Sequence, residues 1–165
     1  MIILQEAKAE EEYILHNLMQ FYIYEFSKYI PSIQLEEDGS YQWFNLDKYW
    51  ENDYFHAYFI KHYEELIGFA LLESQSEHEP NTIEEFFIIA KYHGQGFGKI
   101  AATQLFHKYP GAWSVHQMEK NVPSQAFWKK VISRLTDGYF IDRVEQGKHI
   151  QEFHTNSIKK VYRGG

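Results

Sequence analysis

Residues 82–109 read TIEEFFIIAKYHGQGFGKIAATQLFHKY. Thr82–Ala90 has the length and β-branched content of a buried strand, and Lys99–Tyr109 has apolar residues at helical spacing. Three alternate glycines lie between them, at Gly94–Gly98. Because glycine tolerates positive φ, the N–H groups of such a turn can converge on one point, and the following helix adds its own. The segment therefore predicts a strand–turn–helix unit that binds a phosphate or diphosphate, or else a turn that only links the two elements.

Two better-known phosphate-binding motifs do not fit this turn. The Rossmann fingerprint G-x-G-x-x-G would need a glycine at Lys99. A P-loop would need a glycine at His93 and a serine or threonine at Ile100. The turn is therefore neither of these nucleotide-binding loops.

The turn resembles the central motif of the GNAT acetyltransferase superfamily, Q/R-x-x-G-x-G/A, which corresponds here to His93–Gly98. A second family element, N-x-x-A/S-x-x-F-Y/W, is similar to Asn121–Trp128, one predicted strand later. The resemblance implies an α/β (α+β) fold of the GNAT type, with a mixed, mostly antiparallel sheet of about six to seven strands and about four helices. It also implies an N-acetyltransferase that transfers the acetyl group of acetyl-coenzyme A (acetyl-CoA) directly to a primary amine in a ternary complex.

The rest of the chain supplies the elements that this fold needs. Its hydrophobic periods and turn residues predict the order β-α-α-β-β-β-α-β-α-β-β without repeats or linkers, so residues 1–165 are expected to form one domain. The other predicted strands and helices are Met1–Glu6, Glu10–Ser27, Tyr41–Trp50, Phe55–Lys61, Leu66–Ser74, Ala112–Gln117, Asn121–Leu135, Tyr139–Val144 and His149–Thr155.

The resemblance assigns the residues of the cofactor site. It implies that the main chain of Gln95–Lys99 holds the coenzyme A diphosphate, and that the main chain of Ile88 and Ile89 pairs with the pantetheine arm. His93 departs from the family's usual glutamine or arginine, which removes a fixed donor or a permanent charge, although a neutral histidine still donates one hydrogen bond. The complete predicted set is Ile88, Ile89, His93, Gly94, Gln95, Gly96, Phe97, Gly98, Lys99, Asn121, Ser124, Phe127 and Trp128.

Acetyl transfer to an amine needs a base, because an ammonium group has no lone pair. Family members with a carboxylate base often carry it on the strand before the glycine turn, where Glu84 and Glu85 lie. Strand alternation would send these side chains to opposite faces, so at most one would reach the cleft, and we favour Glu85. The family's usual acid is a tyrosine at the position of Trp128, whose indole cannot serve as one. Either Tyr139 replaces it or the thiolate leaves without an acid.

The acceptor site is expected between the first helix, the irregular segment after it and the last hairpin. A cationic amine, on a small molecule or a peptide, could be held over aromatic faces beside a carboxylate. The candidates are Tyr22, Tyr24, Glu25, Ser27, Trp43 and Trp50.

Composition and sequence patterns exclude several classes of partner and cofactor. The absence of cysteine excludes disulfides and thiolate sites, and the formal net charge of −7 disfavours nucleic acid. No signal-peptide pattern or membrane-length apolar run is present, so a cytoplasmic location and no membrane partner are expected. The nine histidines do not form a motif such as H-E-x-x-H, so no metal is expected. The family resemblance is also compatible with a homodimer.

An alternative function follows from the two departures from the family pattern, at His93 and Trp128. A GNAT-fold module could bind acyl-CoA as a sensor without catalysis. Tight binding of coenzyme A without turnover would distinguish this sensor from an enzyme.

Overall fold

The computed structural model of the chain describes residues 1–155. Within them, seven strands and four α-helices follow the predicted order and confirm the mixed α/β fold. Short 3-10 turns lie at Ala9–Glu11 and Ala90–Tyr92. The elements are β1 Ile2–Glu6, α1 Glu12–Ser27, α2 Asp47–Glu51, β2 Phe55–His62, β3 Glu65–Glu73, β4 Asn81–Ile88, α3 Phe97–Lys108, β5 Ala112–Met118, α4 Val122–Thr136, β6 Ile141–Glu145 and β7 Lys148–His154.

The seven strands form one sheet in the order β1-β2-β3-β4-β5-β7-β6. Every neighbouring pair is antiparallel except β4 and β5, which are parallel. The register between β4 and β5 consists of two residue pairs at the start of both strands, Asn81 with Trp113 and Thr82 with Ser114. Beyond these pairs the two strands diverge, and a groove opens in the middle of the sheet.

The closed end of the divergence is fixed by the side chain of Asn81, which is 1% exposed. Its amide nitrogen donates to the carbonyls of Tyr109 (3.2 Å) and Ala112 (3.0 Å). Its amide oxygen accepts from the main-chain N–H of Gln75 at 2.7 Å. A buried polar side chain is tolerated here because both ends of the amide are hydrogen-bonded.

Two hydrophobic clusters hold the helices against the sheet, one on each face. Helices α3 and α4 pack on the first face and α1 and α2 on the second. Burying one large aliphatic or aromatic side chain contributes about 1.5–3 kcal/mol, so each cluster is a major source of stability. Fully buried members include Leu105, Phe106, Trp113 and Ile132 on the first face and Leu15, Met19, Phe59 and Phe69 on the second.

The predicted helix at Tyr41–Trp50 is shorter than expected, because α2 begins only at Asp47. The main chain of Tyr41 bonds instead to the side chain of Gln20 on α1, at 2.8 Å through its N–H and at 3.1 Å through its carbonyl. The side chain of Asn45 then accepts from the N–H of Asp47 at 2.9 Å. These side-chain contacts compete with helical hydrogen bonds and delay the start of the helix.

Candidate active site

The groove between β4 and β5 consists of two adjoining cavities of about 640 and 590 Å³. The larger lies between α1, β4, β5 and the start of β7, and the smaller lies at the start of α3 beside α4. The two are continuous, because they share lining residues on β4 and α4, among them Phe86, Ile88, Ser124 and Trp128. A long ligand can therefore reach from the start of α3 to the α1 side of the sheet.

The α3 end of the groove is suited to an anion. Gly96 precedes the first residue of α3 in the left-handed region, with φ 80°, and Gly94 has φ 79°. The first N–H groups of an α-helix have no acceptor within the helix, and they lie at the positive end of its dipole. The predicted turn is thus built as the sequence indicated, with N–H groups available at the mouth of the smaller cavity.

Three cations surround the same cavity: Lys99 on α3, and Lys130 and Arg134 on α4. None of them forms an ion pair with a carboxylate in residues 1–155. Unpaired positive charge at a helix N-terminus favours a polyanionic ligand such as a diphosphate. This local group of cations contrasts with the formal net charge of −7 for the whole chain.

Residues on α4 close the other side of the groove. Asn121 caps this helix, since its side-chain oxygen accepts from the N–H of Ser124 at 3.2 Å. Trp128 is 5% exposed and packs edge-on against Phe86 and Phe106. Its indole therefore has an apolar packing role.

Glu84 and Glu85 both line the larger cavity, which corrects the prediction that alternation would allow only one of them to do so. Strand β3 pairs Leu71 with Glu85 and Leu72 with Ile83, so Glu84 is an extra residue in β4. Such a β-bulge lets two consecutive side chains turn to the same side of a sheet. Both glutamates therefore line the same cavity.

Glu85 has the chemistry of a base that works near neutral pH. Burial raises the pKa of its carboxyl to about 7, and the nearby charge of Glu84 adds to the rise. The hydroxyl of Tyr22 on α1 donates to the Glu85 carboxylate and opposes the rise. Tyr22 itself stays protonated, because its own burial and the neighbouring carboxylate raise the pKa of its phenol. Perturbed carboxyls of this kind are typical of proton-transfer sites.

The opposite wall of the cavity contains two residues that the sequence did not single out, His116 on β5 and Lys148 on β7. The ring nitrogen Nε2 of His116 lies 2.7 Å from the hydroxyl of Ser114. Partial burial, together with the charge of Lys148, lowers the pKa of His116, so its imidazole is neutral at physiological pH. Alternation along β5 could have found this residue only if the face that opens onto the groove were known.

Most of the predicted site residues lie in the groove. It is lined by Tyr22, Glu25, Glu84, Glu85, Ile88, His93, Gly94, Gly96, Phe97, Gly98, Lys99, Asn121, Ser124, Phe127 and Trp128. His93 is anchored there, with its Nε2 2.7 Å from the carbonyl of Ile88.

Two residues of the predicted cofactor set do not line it. Ile89 turns toward β3, where its N–H donates to the carbonyl of Ile67 at 2.8 Å. Gln95 is exposed, and its side chain lies 3.4 Å from the carbonyl of Lys91.

The structure also places several predicted acceptor and catalytic residues outside the groove lining. Tyr139 is 69% exposed in the turn after α4, and Tyr24 is 65% exposed on α1. Ser27 donates to the carbonyl of Tyr24 at 2.6 Å. Trp43 stacks on His16 with ring centroids 4.2 Å apart, and Trp50 donates to Glu12 at 2.7 Å. Tyr24, Ser27, Trp43, Trp50 and Tyr139 therefore do not line either cavity of the groove.

Comparison with known proteins agrees with this architecture. The family model described as "Acetyltransferase (GNAT) family" matches residues 15–132. The spermidine N-acetyltransferase from Vibrio cholerae, in complex with CoA and spermine, is 13% identical with a TM-score of 0.66, over 96% of this chain and 98% of that one. An acetyltransferase from Thermus thermophilus is 14% identical with a TM-score of 0.66, over 93% and 97%. No curated protein matches the sequence significantly.

Two kinds of feature are absent from residues 1–155. They include no helix of the length and apolarity needed to cross a membrane. They also include no group of three or more His, Asp or Glu side chains that could hold a metal ion.

Proposed function

Since this chain belongs to the GNAT acetyltransferase family, we propose that it is an N-acetyltransferase that uses acetyl-CoA to acetylate a primary amine. The observation that supports this most directly is the continuity of the groove. One end presents free N–H groups and cations for a diphosphate, and the other end presents Glu84 and Glu85.

The residues of the smaller cavity fit coenzyme A. The first turn of α3 would hold the diphosphate, assisted by Lys99, Lys130 and Arg134. Ile88 and Trp128 would flank the pantetheine arm where β4 and β5 diverge. When bound, acetyl-CoA supplies the acetyl group as a thioester, and the new C–N bond forms as the C–S bond breaks.

Glu85 serves as the general base in this proposal. Its carboxylate takes a proton from the acceptor's ammonium group, which frees the nitrogen lone pair for attack. A pKa near 7 suits this role, because a useful fraction is ionised at neutral pH and still has affinity for a proton. Tyr22 holds the carboxylate in place, and Glu84 adds negative charge that attracts the cationic amine.

The experiment is an assay of thiol release with acetyl-CoA and a panel of amines that includes spermidine, the substrate named for a structural neighbour. Glu85→Gln should lower kcat at least tenfold while the Kd for coenzyme A, measured by calorimetry, stays within about twofold. Glu77→Gln, in an exposed loop, is the matched control. Full activity of Glu85→Gln would show that this residue is not the base.

A non-catalytic acyl-CoA sensor is the second candidate, because Trp128 packs in the core where the family usually has a tyrosine. This alternative predicts tight binding of coenzyme A and no acetylation of any amine. Measured turnover of one amine would exclude it.

A further inference from the structure

The charged side chains that line the larger cavity lie on two opposite walls, apart from one ion pair. Glu25 and Lys28 neutralise each other, with 3.1 Å between Nζ and Oε2. Glu84 and Glu85 then lie on the β4 wall, and the cation Lys148 lies on the β5–β7 wall. The cavity is therefore negative on one side and positive on the other.

The negative wall is reinforced from the neighbouring strand. Burial raises the pKa of Glu73 on β3, and the charge of Glu84 adds to the rise. Lys48 on α2 lowers the pKa of both Glu73 and Glu85, yet it forms no ion pair with a carboxylate in residues 1–155. The β4 wall thus presents the carboxyl groups of Glu84 and Glu85, which suit an ammonium group.

On the positive wall, Lys148 has no ion-pair partner within residues 1–155. Glu145 is its register partner on β6, but the Glu145 carboxylate bonds to Arg143. Arg143 also binds Glu152 at 2.7 Å, so Glu145 and Glu152 share this one cation. The carboxylate of Glu119 lies near Gly147, next to Lys148 in the chain, but it forms no ion pair within residues 1–155. His116, neutral beside Lys148, can donate one hydrogen bond through its ring.

On the premise of the proposed acetyltransferase, we propose that the acceptor is an amine that also carries a carboxylate. Its ammonium group would lie on the β4 wall beside Glu84 and Glu85, and its carboxylate would face Lys148. An amine without an anionic group would leave Lys148 unpaired, and a polyamine would place a second cation next to it. Like charges repel and opposite charges attract, so the cavity would discriminate between these substrates.

The test uses L-amino acids and their C-terminal amides, which share the amine and differ in the carboxylate, with spermidine as a polycation. The wild-type kcat/KM should be at least about tenfold higher for the acids than for the amides. Lys148→Glu should lower the kcat/KM for the acids at least about tenfold and so abolish that preference. Lys8→Glu makes the same charge change outside the groove, and it should preserve the preference.

Two results would overturn this inference while the proposed function stands. One is a wild-type enzyme that acetylates amides or spermidine as well as the acids or better. The other is a Lys148→Glu variant that loses activity equally with every acceptor.

If wild-type protein acetylates neither these amines nor any other amine of the panel, the proposed function itself fails. Calorimetric measurement of the binding of the same amino acids to the coenzyme A-loaded protein then tests the proposed carboxylate site at Lys148 independently of catalysis. Binding that Lys148→Glu weakens by tenfold or more supports it, and equal binding or no binding overturns it.

Discussion

The hydrogen bond between Tyr22 and Glu85 gives the sharpest prediction. Tyr22→Phe removes the donor hydroxyl but keeps the ring, which packs edge-on against Phe69 and Phe87. A hydrogen bond to a charged group contributes about 1.5–3 kcal/mol, and one pKa unit corresponds to about 1.4 kcal/mol. Since the hydroxyl stabilises the ionised form, its loss should raise the pKa of Glu85 from about 7 by about one to two units.

The assay is the pH dependence of kcat/KM with acetyl-CoA and a fixed amine. The acid limb should move to higher pH by the same one to two units, so that activity at pH 7 falls about 5- to 50-fold and recovers as the pH is raised. Tyr13→Phe, on the exposed side of α1, should leave the profile unchanged. An acid limb that stays in place, or moves to lower pH, would refute the role of Tyr22.

Three other predictions concern stability and the cofactor. The pKa of Glu85 is about 7 in the folded protein and 4.5 for a glutamate fully exposed to water, so the folded protein binds more protons and loses stability as the pH rises between these values. Glu85→Gln should remove this pH dependence. In urea denaturation at pH 8, its free energy of unfolding should exceed that of the wild type by up to about 3 kcal/mol. Gly96→Val should weaken coenzyme A binding more than tenfold. Gly39→Val, at a similar φ of 84° in a distant loop, should lower the free energy of unfolding by a similar amount and leave coenzyme A binding unchanged. Arg134→Ala should weaken the binding of coenzyme A and of dephospho-coenzyme A by the same factor, because both carry the diphosphate that Arg134 is proposed to assist. A loss confined to coenzyme A would contradict that position.

Much of the fold could be predicted because local pattern and tertiary structure agree. The strand, glycine turn and helix of residues 82–109 each have a distinct period, and the structure has them close to the predicted bounds. Tyr41–Trp50 differed because the partner that decides its backbone conformation, Gln20, is on another element. A helical period cannot show that a distant side chain will take the backbone hydrogen bonds.

The site was predicted less completely than the fold. Alternation holds only for a regular strand, and the bulge at Glu84 depends on how β3 pairs with β4. His116 and Lys148 belong to strands that meet the groove only because β4 and β5 diverge. Tyr139 and Trp43 were selected by residue type, and residue type does not determine whether a side chain is near the reacting groups.

The side chain of Asn81 joins two halves of a sheet that share little else along their common edge. Both halves also belong to the hydrophobic cluster on the first face, so the core holds the sheet together on either side of the gap between β4 and β5. A ligand that lies in the gap would contact both β4 and β5. The amide protons of Phe86 and Ile88 should therefore exchange with deuterium quickly in the free protein and slowly once coenzyme A is added. Bound coenzyme A would in this way take the place of the hydrogen bonds that β4 and β5 do not form with each other.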